Sequence, residues 1–362
     1  MTADARTLPP PRAVDLIDWY DRQHRKMPWR IGPAERLEGI LPDPYRVWIS
    51  EVMLQQTTVA AVGPYFETFT TLWPTITDLA RADEADVMKA WAGLGYYSRA
   101  RNLKRCAEAV LREQNGRFPD DEATLLTLPG IGPYTAAAIT AIAFGKPALV
   151  VDGNVERVIT RVFAIETPMP DARREVRAKL GLIAPIVRPG EFAEATMDLG
   201  ATICTPKKPA CALCPWRPAC AGTKRGDPER FPVKPPKSVR PAREGLAYVA
   251  IRSDGAVLLR RRPPKGLLGG MSEVPNAGWD RARASAAAPP DLPPPLATNW
   301  ISGNEPVEHV FTHFRLLMRV RAGRVPQTTP APEGCWWSNA LEEEALPTVM
   351  RKVITLGQKL AK

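Results

Sequence analysis

No apolar run in this 362-residue sequence approaches the ~18 residues that a membrane-spanning helix needs, so nothing in it supports a membrane-spanning helix. The first residues, MTADARTLPPPRAVDLIDWY, lack the basic-then-apolar pattern of a secretion signal. The expectation is a cytoplasmic protein, associated with the nucleoid if the source is bacterial, whose thiols stay reduced; that disfavours a disulfide framework for its six cysteines. There is no internal repeat, and strand-like runs are scarce before about residue 200. What is present is ordinary for a folded chain, 44% hydrophobic and 24% charged residues, in a length that suits two domains. The net charge of +10 favours a polyanionic partner, and without a membrane signal that partner is nucleic acid.

Apolar residues recur at about helical spacing from Val14, Ile17 and Tyr20 onward, with a first helix ending near Met27-Pro28, so the first half reads as all-α. Residues 223–245 hold seven Lys/Arg, three Asp/Glu and five Pro, the composition of a solvated basic linker. Beyond it the pattern turns β-rich. LAYVAIRSDGAVLLRRR reads as a hairpin around Ser-Asp-Gly, HVFTHFRLLMRVRAG as a further strand, and LEEEALPTVMRKVITLGQKL as one or two closing helices. Residues 282–297, rich in Ala and Pro, read as a loop.

Four cysteines, Cys204, Cys211, Cys214 and Cys220, lie in one C-x6-C-x2-C-x5-C stretch. Four thiolates in a turn-rich loop can enclose a tetrahedral zinc ion or a cubane iron–sulfur cluster. Zinc sites more often pair two short C-x2-C knuckles, and only one occurs here. Lys207, Lys208 and Arg217 lie between the ligands, where they can meet a phosphate backbone. Cys106 and Cys335 read as core residues.

In LLTLPGIGPYTAAAITAIAF, helical patterning breaks at Pro129, passes Gly130 and Gly132, and restarts in an Ala-rich helix. Such a turn can offer backbone N–H groups to one DNA phosphate, although glycine turns are common. Downstream, Asp152 precedes Gly153 and Asn154, where a turn-capping role is the plain alternative to catalysis. Glu51, in DPYRVWISEVMLQQTT, shares a helix face with Val47, Trp48, Leu54 and Gln55. Burial there raises a carboxyl pKa towards neutrality, as a general acid near pH 7 requires; a paired structural glutamate is the alternative.

Together these segments resemble the helix-hairpin-helix DNA glycosylases that carry a 4Fe–4S cluster, and more narrowly the MutY-type adenine DNA glycosylases. The resemblance runs through MPWR (27–30), DPYRVWISEVMLQQT, AGLGYYSRARNL, LPGIGPYTAAAI, VDGNVERV, MDLGATIC and the cysteine loop, and on to GLLGGMSEVP and HVFTHF. It implies an all-α helix-hairpin-helix glycosylase domain over 1–222 with a cluster loop at 204–220, the linker 223–245, and an α+β MutT/Nudix-like domain over 246–362. It also implies a monomer that acts on double-stranded DNA holding adenine opposite 8-oxoguanine or guanine, flips the adenine out and hydrolyses its glycosidic bond.

By match to the family's motifs, Glu51 would protonate the adenine ring and Asp152 would stabilise the sugar cation, with Tyr134 and Asn154 in support. Trp29, Arg30, Leu54 and Glu194 would line the base pocket. Gln56, Thr57, Leu94 and Tyr96 would surround 8-oxoguanine, while Gly130 and Gly132 would hold the backbone. Phe311, Thr312 and His313 would read the lesion from the C-terminal domain, and Cys204, Cys211, Cys214 and Cys220 would hold the 4Fe–4S cluster. For Leu94 and Tyr96 the alternative is core packing.

Tyr134 stands where the endonuclease III branch carries a Schiff-base lysine, which implies a monofunctional enzyme rather than a glycosylase/lyase. The segment NAGWDRARASAAAPPDL lacks the REUxEE glutamates of a Nudix hydrolase. A catalytically silent iron–sulfur DNA-binding protein is the remaining rival, and Glu51 on an apolar face speaks against it. The stretch 31–42 is about ten residues longer than the family's usual loop, MSEVP replaces LWEFP, and Ala193 replaces a common Asn.

Overall fold

A computed structural model of the chain describes residues 8–235, 241–263, 266–278, 293–311 and 313–362. The chain divides into two units, one ending at residue 236 and the other beginning at 237. In the first unit the chain forms α1 (Ala13–Gln23), α2 (Pro33–Leu37), α3 (Pro44–Leu54), α4 (Val59–Leu72), α5 (Ile76–Arg81), α6 (Glu84–Ala90) and α7 (Ser98–Glu113). There follow α8 (Glu122–Leu125), α9 (Pro133–Ala138), which runs into a π turn at Ile139–Ala143, then α10 (Gly153–Val162), α11 (Arg173–Gly181), α12 (Pro189–Thr202) and α13 (Ala221–Arg225). Among its described residues there is no strand, in keeping with the all-α reading.

The centre of this unit is α12, in which every residue from Pro189 to Gly200 is buried. A helix apolar all round would be an ordinary core element. This one carries Glu191, Glu194 and Asp198, and α1, α10 and the π turn pack around it. The remaining core is aromatic, with Trp48, Trp91, Phe66 and Phe69 each at most 1% exposed.

Two expectations fail here for physical reasons. Helix α1 ends at Gln23 rather than near Met27, because His24 leaves helical backbone and the Arg25 N–H is donated to Asp198 Oδ2 at 2.9 Å. Residues 223–235, expected as linker, pack on the first unit. Phe231 is 1% exposed, its carbonyl accepts from Arg161 Nε at 3.0 Å, and Met169 N–H reaches Val233 O at 2.9 Å. Composition suggested solvent, but one aromatic and one buried guanidinium anchor the segment.

In the second unit, β1 (Ala242–Arg252), β2 (Val257–Arg261), β3 (Ser272–Glu273), β4 (Asn276–Ala277), β5 (Ile301–Ser302), β6 (Val307–Val310), β7 (Arg315–Val325) and β8 (Cys335–Ser338) form one sheet, followed by α14 (Thr348–Leu360). Strands β1 and β2 make the expected hairpin, and β1 pairs in parallel with β7 from Ala242↔Arg315 to Arg252↔Val325. The stretch HVFTHFRLLMRVRAG is not one strand. It folds into antiparallel β6 and β7, closed by Phe311 N–H to Phe314 O at 2.9 Å, with the two rings stacked 4.7 Å apart. Val349, Met350, Val353 and Ile354 of α14 cover the sheet residues Val249, Leu316, Met318 and Val320. Each such side chain contributes about 1.5–3 kcal/mol by burial. The Ala/Pro-rich loop expected at 282–297 lies outside the described residues up to position 292.

Candidate active site

Helix α3 starts at Asp43, whose carboxylate accepts from Tyr45 N–H at 2.9 Å, with Pro44 in the first turn where its missing N–H costs nothing. It stops at Leu54 because Gln55 is extended and Gln56 adopts a φ of 57°. Between these ends Glu51 is only 6% exposed. Helix α9 opens after the Gly130–Gly132 turn, where Gly130 has a φ of 78° and a β-carbon would lie 2.8 Å from Asn102 Cβ. That turn places Tyr134 beside α3, and its hydroxyl donates to Glu51 Oε2 at 2.6 Å.

Asp152 is the N-cap of α10. It accepts from Val155 N–H at 2.7 Å and from Asn154 Nδ2 at 2.8 Å, so the capping role is real. It also lines the cavity that holds Glu51. Asn154 is held in turn: its Oδ1 accepts from Arg157 Nη2 at 2.8 Å, and Arg157 also reaches Gly200 O at 2.7 Å and Cys204 O at 2.8 Å. Residue 200 must lack a side chain, since a β-carbon there would meet Asn154 Cβ at 2.6 Å.

The cavity measures about 480 Å³. Glu51, Tyr134, Asp152, Asn154, Trp29, Arg30, Leu54, Glu194, Gln56 and Thr57 all line it, residues drawn from positions 29 to 194. Burial pushes the Glu51 carboxyl up to about 7, against the pull of the Tyr134 hydroxyl and the Arg30 charge; Asp152 and Glu194 push it the same way as burial. Burial, with the Glu51 charge beside it, holds the Tyr134 phenol well above its ordinary value, so it stays a neutral donor.

Among the residues of the first unit predicted to meet DNA, Gly130, Gly132, Leu94 and Tyr96 do not line this cavity. Gly130 lies on a separate cleft of about 230 Å³ that is also lined by Gln55, Ser98, Arg99 and Asn102. Gly132 is the N-cap of α9. Leu94 is 7% exposed and packs into the core, whereas Tyr96 is 53% exposed with a φ of 49°. Arg99 fastens this region: it donates to Val52 O and Met53 O at 2.9 Å, to Leu94 O at 3.2 Å and to Thr57 Oγ1 at 3.2 Å. In the second unit Phe311 stacks on Phe314 and faces His309 edge-on, and His313 is exposed. Thr312 lies outside the described residues.

Sequence reasoning missed the charged wall behind the cavity. Asp198 accepts from Arg25 Nε at 2.7 Å and from Arg30 Nη1 at 2.8 Å on both oxygens. Tyr20 donates to Glu194 Oε2 at 2.9 Å, and Arg36 donates to the same oxygen at 2.8 Å. The available signal was the spacing of Glu191, Glu194 and Asp198 on an otherwise apolar helix.

Cys204, Cys211, Cys214 and Cys220 surround a small void of about 20 Å³ beside Val158, Val162 and Ile203. None of the four is in a disulfide. Among the described residues, no group of three or more His, Cys, Asp or Glu is drawn together as a ready-made ion site. Burial pushes the Cys214 thiol up to about 12 and raises that of Cys204. Against this, Arg161, 1% exposed, donates to Cys204 Sγ at 3.3 Å. A buried guanidinium on a sulfur suits a thiolate, so the donor set fits an anionic, thiolate-bound group.

Residues 49–185 match the model of the HhH-GPD superfamily of base excision DNA repair proteins, and residues 247–356 match that of the NUDIX domain. The chain is 35% identical to the adenine DNA glycosylase of Homo sapiens over 95% of its own length and 73% of that protein's. It is 39% identical to the adenine DNA glycosylase of Mycolicibacterium smegmatis, over 57% of this chain and 69% of that one. A solved thermostable thymine-DNA glycosylase superposes with a TM-score of 0.52 at 29% identity, covering 59% of this chain and 95% of its own. With Glu51, Tyr134 and Asp152 on one cavity and this extent of likeness, the chain belongs to the adenine DNA glycosylase family of helix-hairpin-helix base excision repair proteins.

Proposed function

We propose that the protein removes adenine mispaired with 8-oxoguanine, or with guanine, from double-stranded DNA, and that it leaves the strand intact. The observation that carries this reading is the meeting of Glu51, Tyr134 and Asp152 on one cavity. A flipped adenine enters that cavity against Trp29, Leu54 and Arg30. Glu51, protonated in part near neutral pH, gives its proton to a ring nitrogen, which turns the base into a neutral leaving group. The sugar then carries a positive charge, and the Asp152 carboxylate offsets it before water completes the hydrolysis. Asn154 keeps Asp152 in place. Tyr134 cannot act as an amine nucleophile, so no Schiff base forms there.

A 4Fe–4S cluster bound by Cys204, Cys211, Cys214 and Cys220 would cross-link their loop and present Lys207, Lys208 and Arg217 to phosphate. Gln56, Thr57 and Tyr96 face the strand opposite the adenine, with Leu94 packed in the core, and Gly130 and Gly132 take the backbone of the adenine's own strand. The second unit reads the lesion through Phe311, Thr312 and His313. The protein acts as a monomer in the compartment that holds its DNA, which is the cytoplasm if the source is bacterial. The deciding experiment is a duplex with one adenine opposite 8-oxoguanine, incubated with the protein, treated with alkali and sized. A strand cut at the adenine only after alkali supports the reading, and an uncut strand refutes it.

A further inference from the structure

The lengthened stretch 31–42 ends up behind the base pocket. It forms α2, whose Leu37 is 85% exposed, so the helix sits at the surface. Its start is closed by Glu35 Oε2, which accepts from Gly32 N–H at 2.8 Å. From this helix Arg36 turns inward. Its Nε donates to Ile31 O at 3.1 Å, and its Nη2 donates to Glu194 Oε2 at 2.8 Å, with the arginine side chain 13% and the glutamate side chain 3% exposed.

The two oxygens of Glu194 are not used alike. Oε2 accepts from both Tyr20 and Arg36. The cation nearest Oε1 is Arg30, whose Nε stands 3.6 Å away, too far for a good hydrogen bond. Arg30 is tied instead to Asp198, which its Nη1 holds at 2.8 Å on both oxygens. One acceptor therefore remains, on a side chain that lines the cavity. A carboxylate oxygen takes only donors. Adenine offers an N–H donor at its exocyclic amine, whereas guanine carries an acceptor at the same ring position.

We infer that Arg36 is a positioning residue for adenine selection: it anchors Glu194 through Oε2, so that Oε1 stays available to the amine of the base. The inference rests on the adenine reading above. Without Arg36 the one hydrogen bond left on the carboxylate is that from Tyr20, with Arg30 standing 3.6 Å from the other oxygen, and a looser glutamate loses the orientation that makes an acceptor selective.

The test is single-turnover excision by the full-length protein from two duplexes with 8-oxoguanine in the opposite strand. One carries adenine and the other unsubstituted purine, which lacks the amine. For Arg36→Gln, adenine excision should fall about tenfold, the value of one charge-assisted hydrogen bond, with purine excision within about twofold of wild type. Arg36→Lys should recover most of the loss. Glu194→Gln should show the same selective loss, and adding Arg36→Gln to it should change little. Any result in which Arg36→Gln fails to narrow the adenine-over-purine preference overturns the inference, including equal loss on both bases. Wild-type protein that excises no adenine would instead refute the glycosylase reading. A selective Glu194→Gln beside an unselective Arg36→Gln would remove the role of Arg36 alone.

Discussion

Replacing Glu51 with glutamine separates two consequences of burying one carboxyl group. A glutamate in the unfolded chain titrates near 4.5, and in the folded protein burial moves it to about 7. The folded state therefore holds its proton more tightly, and the associated stability is complete below about 4.5 and lost as pH rises through about 7. The gap corresponds to at most about 3 kcal/mol, since each pH unit is worth about 1.4 kcal/mol. Water in the 480 Å³ cavity lowers that figure, so about 2 kcal/mol between pH 5 and pH 8.5 is a fair expectation. Glutamine has no charge to bury. Its stability relative to wild type should rise across that interval by the same amount, or about 4–8 °C in Tm for a domain of this size. The same variant should lose at least about 100-fold in single-turnover excision at pH 7, because it has no proton to give. Wild-type excision should decline above pH about 7 as Glu51 loses its proton. Calorimetry at the two pH values, with excision measured from pH 6 to 9, checks both limbs. A Tm difference between variant and wild type that does not change with pH would refute the burial argument, and a flat excision profile would refute the role of Glu51 as acid.

Asp152→Asn should keep the fold, since an amide oxygen still caps α10, yet lose at least about 100-fold in excision; near wild-type rates would leave Asp152 a cap and nothing more. Purified protein should be brown and contain about four irons with sulfide, and metal analysis finding one zinc and no iron would contradict the cluster assignment. Borohydride should trap little protein on DNA, because position 134 is a phenol, and strong trapping would point to a lysine elsewhere. Truncation after residue 235 should spare adenine excision but narrow the preference for 8-oxoguanine over guanine. Truncation after 225 should cost a further ~2 kcal/mol of stability, since it strips Phe231 from Arg161; equal melting of the two fragments would show that the segment contributes nothing.

The all-α and α+β division was legible because it rests on local patterning, which survives without knowledge of contacts. Glu51 was legible for a related reason: a charged residue on an apolar helix face violates the local rule, and such violations concentrate at functional sites. Asp152 was ambiguous in sequence and is in fact both things, an N-cap and a cavity residue. The misreadings share a cause. HVFTHFRLLMRVRAG has continuous strand propensity, and only the Phe311–Phe314 closure, a tertiary feature of two rings, breaks it into β6 and β7. The basic stretch after residue 222 has the composition of a linker, and one phenylalanine decides otherwise.

What stayed hidden was the charged wall behind the pocket, because its pairs join distant parts of the chain. Arg36 and Glu194 are 158 positions apart, and Tyr20 and Glu194 are 174 apart. No window of sequence contains both partners, and each residue alone looks like an ordinary surface arginine or core tyrosine. Such a wall adds little to stability, because desolvating several charges offsets most of what their pairing returns. Its value lies in geometry. Asp198 fixes Arg30, and Tyr20 and Arg36 hold one oxygen of Glu194, so Arg30 and Glu194, which line the base pocket, are positioned by three residues that do not. Removing one partner of a buried pair such as Arg30–Asp198 leaves a buried charge and should destabilise the domain, whereas a substitution of the more exposed Arg36 should alter which base is accepted before it alters whether the domain folds.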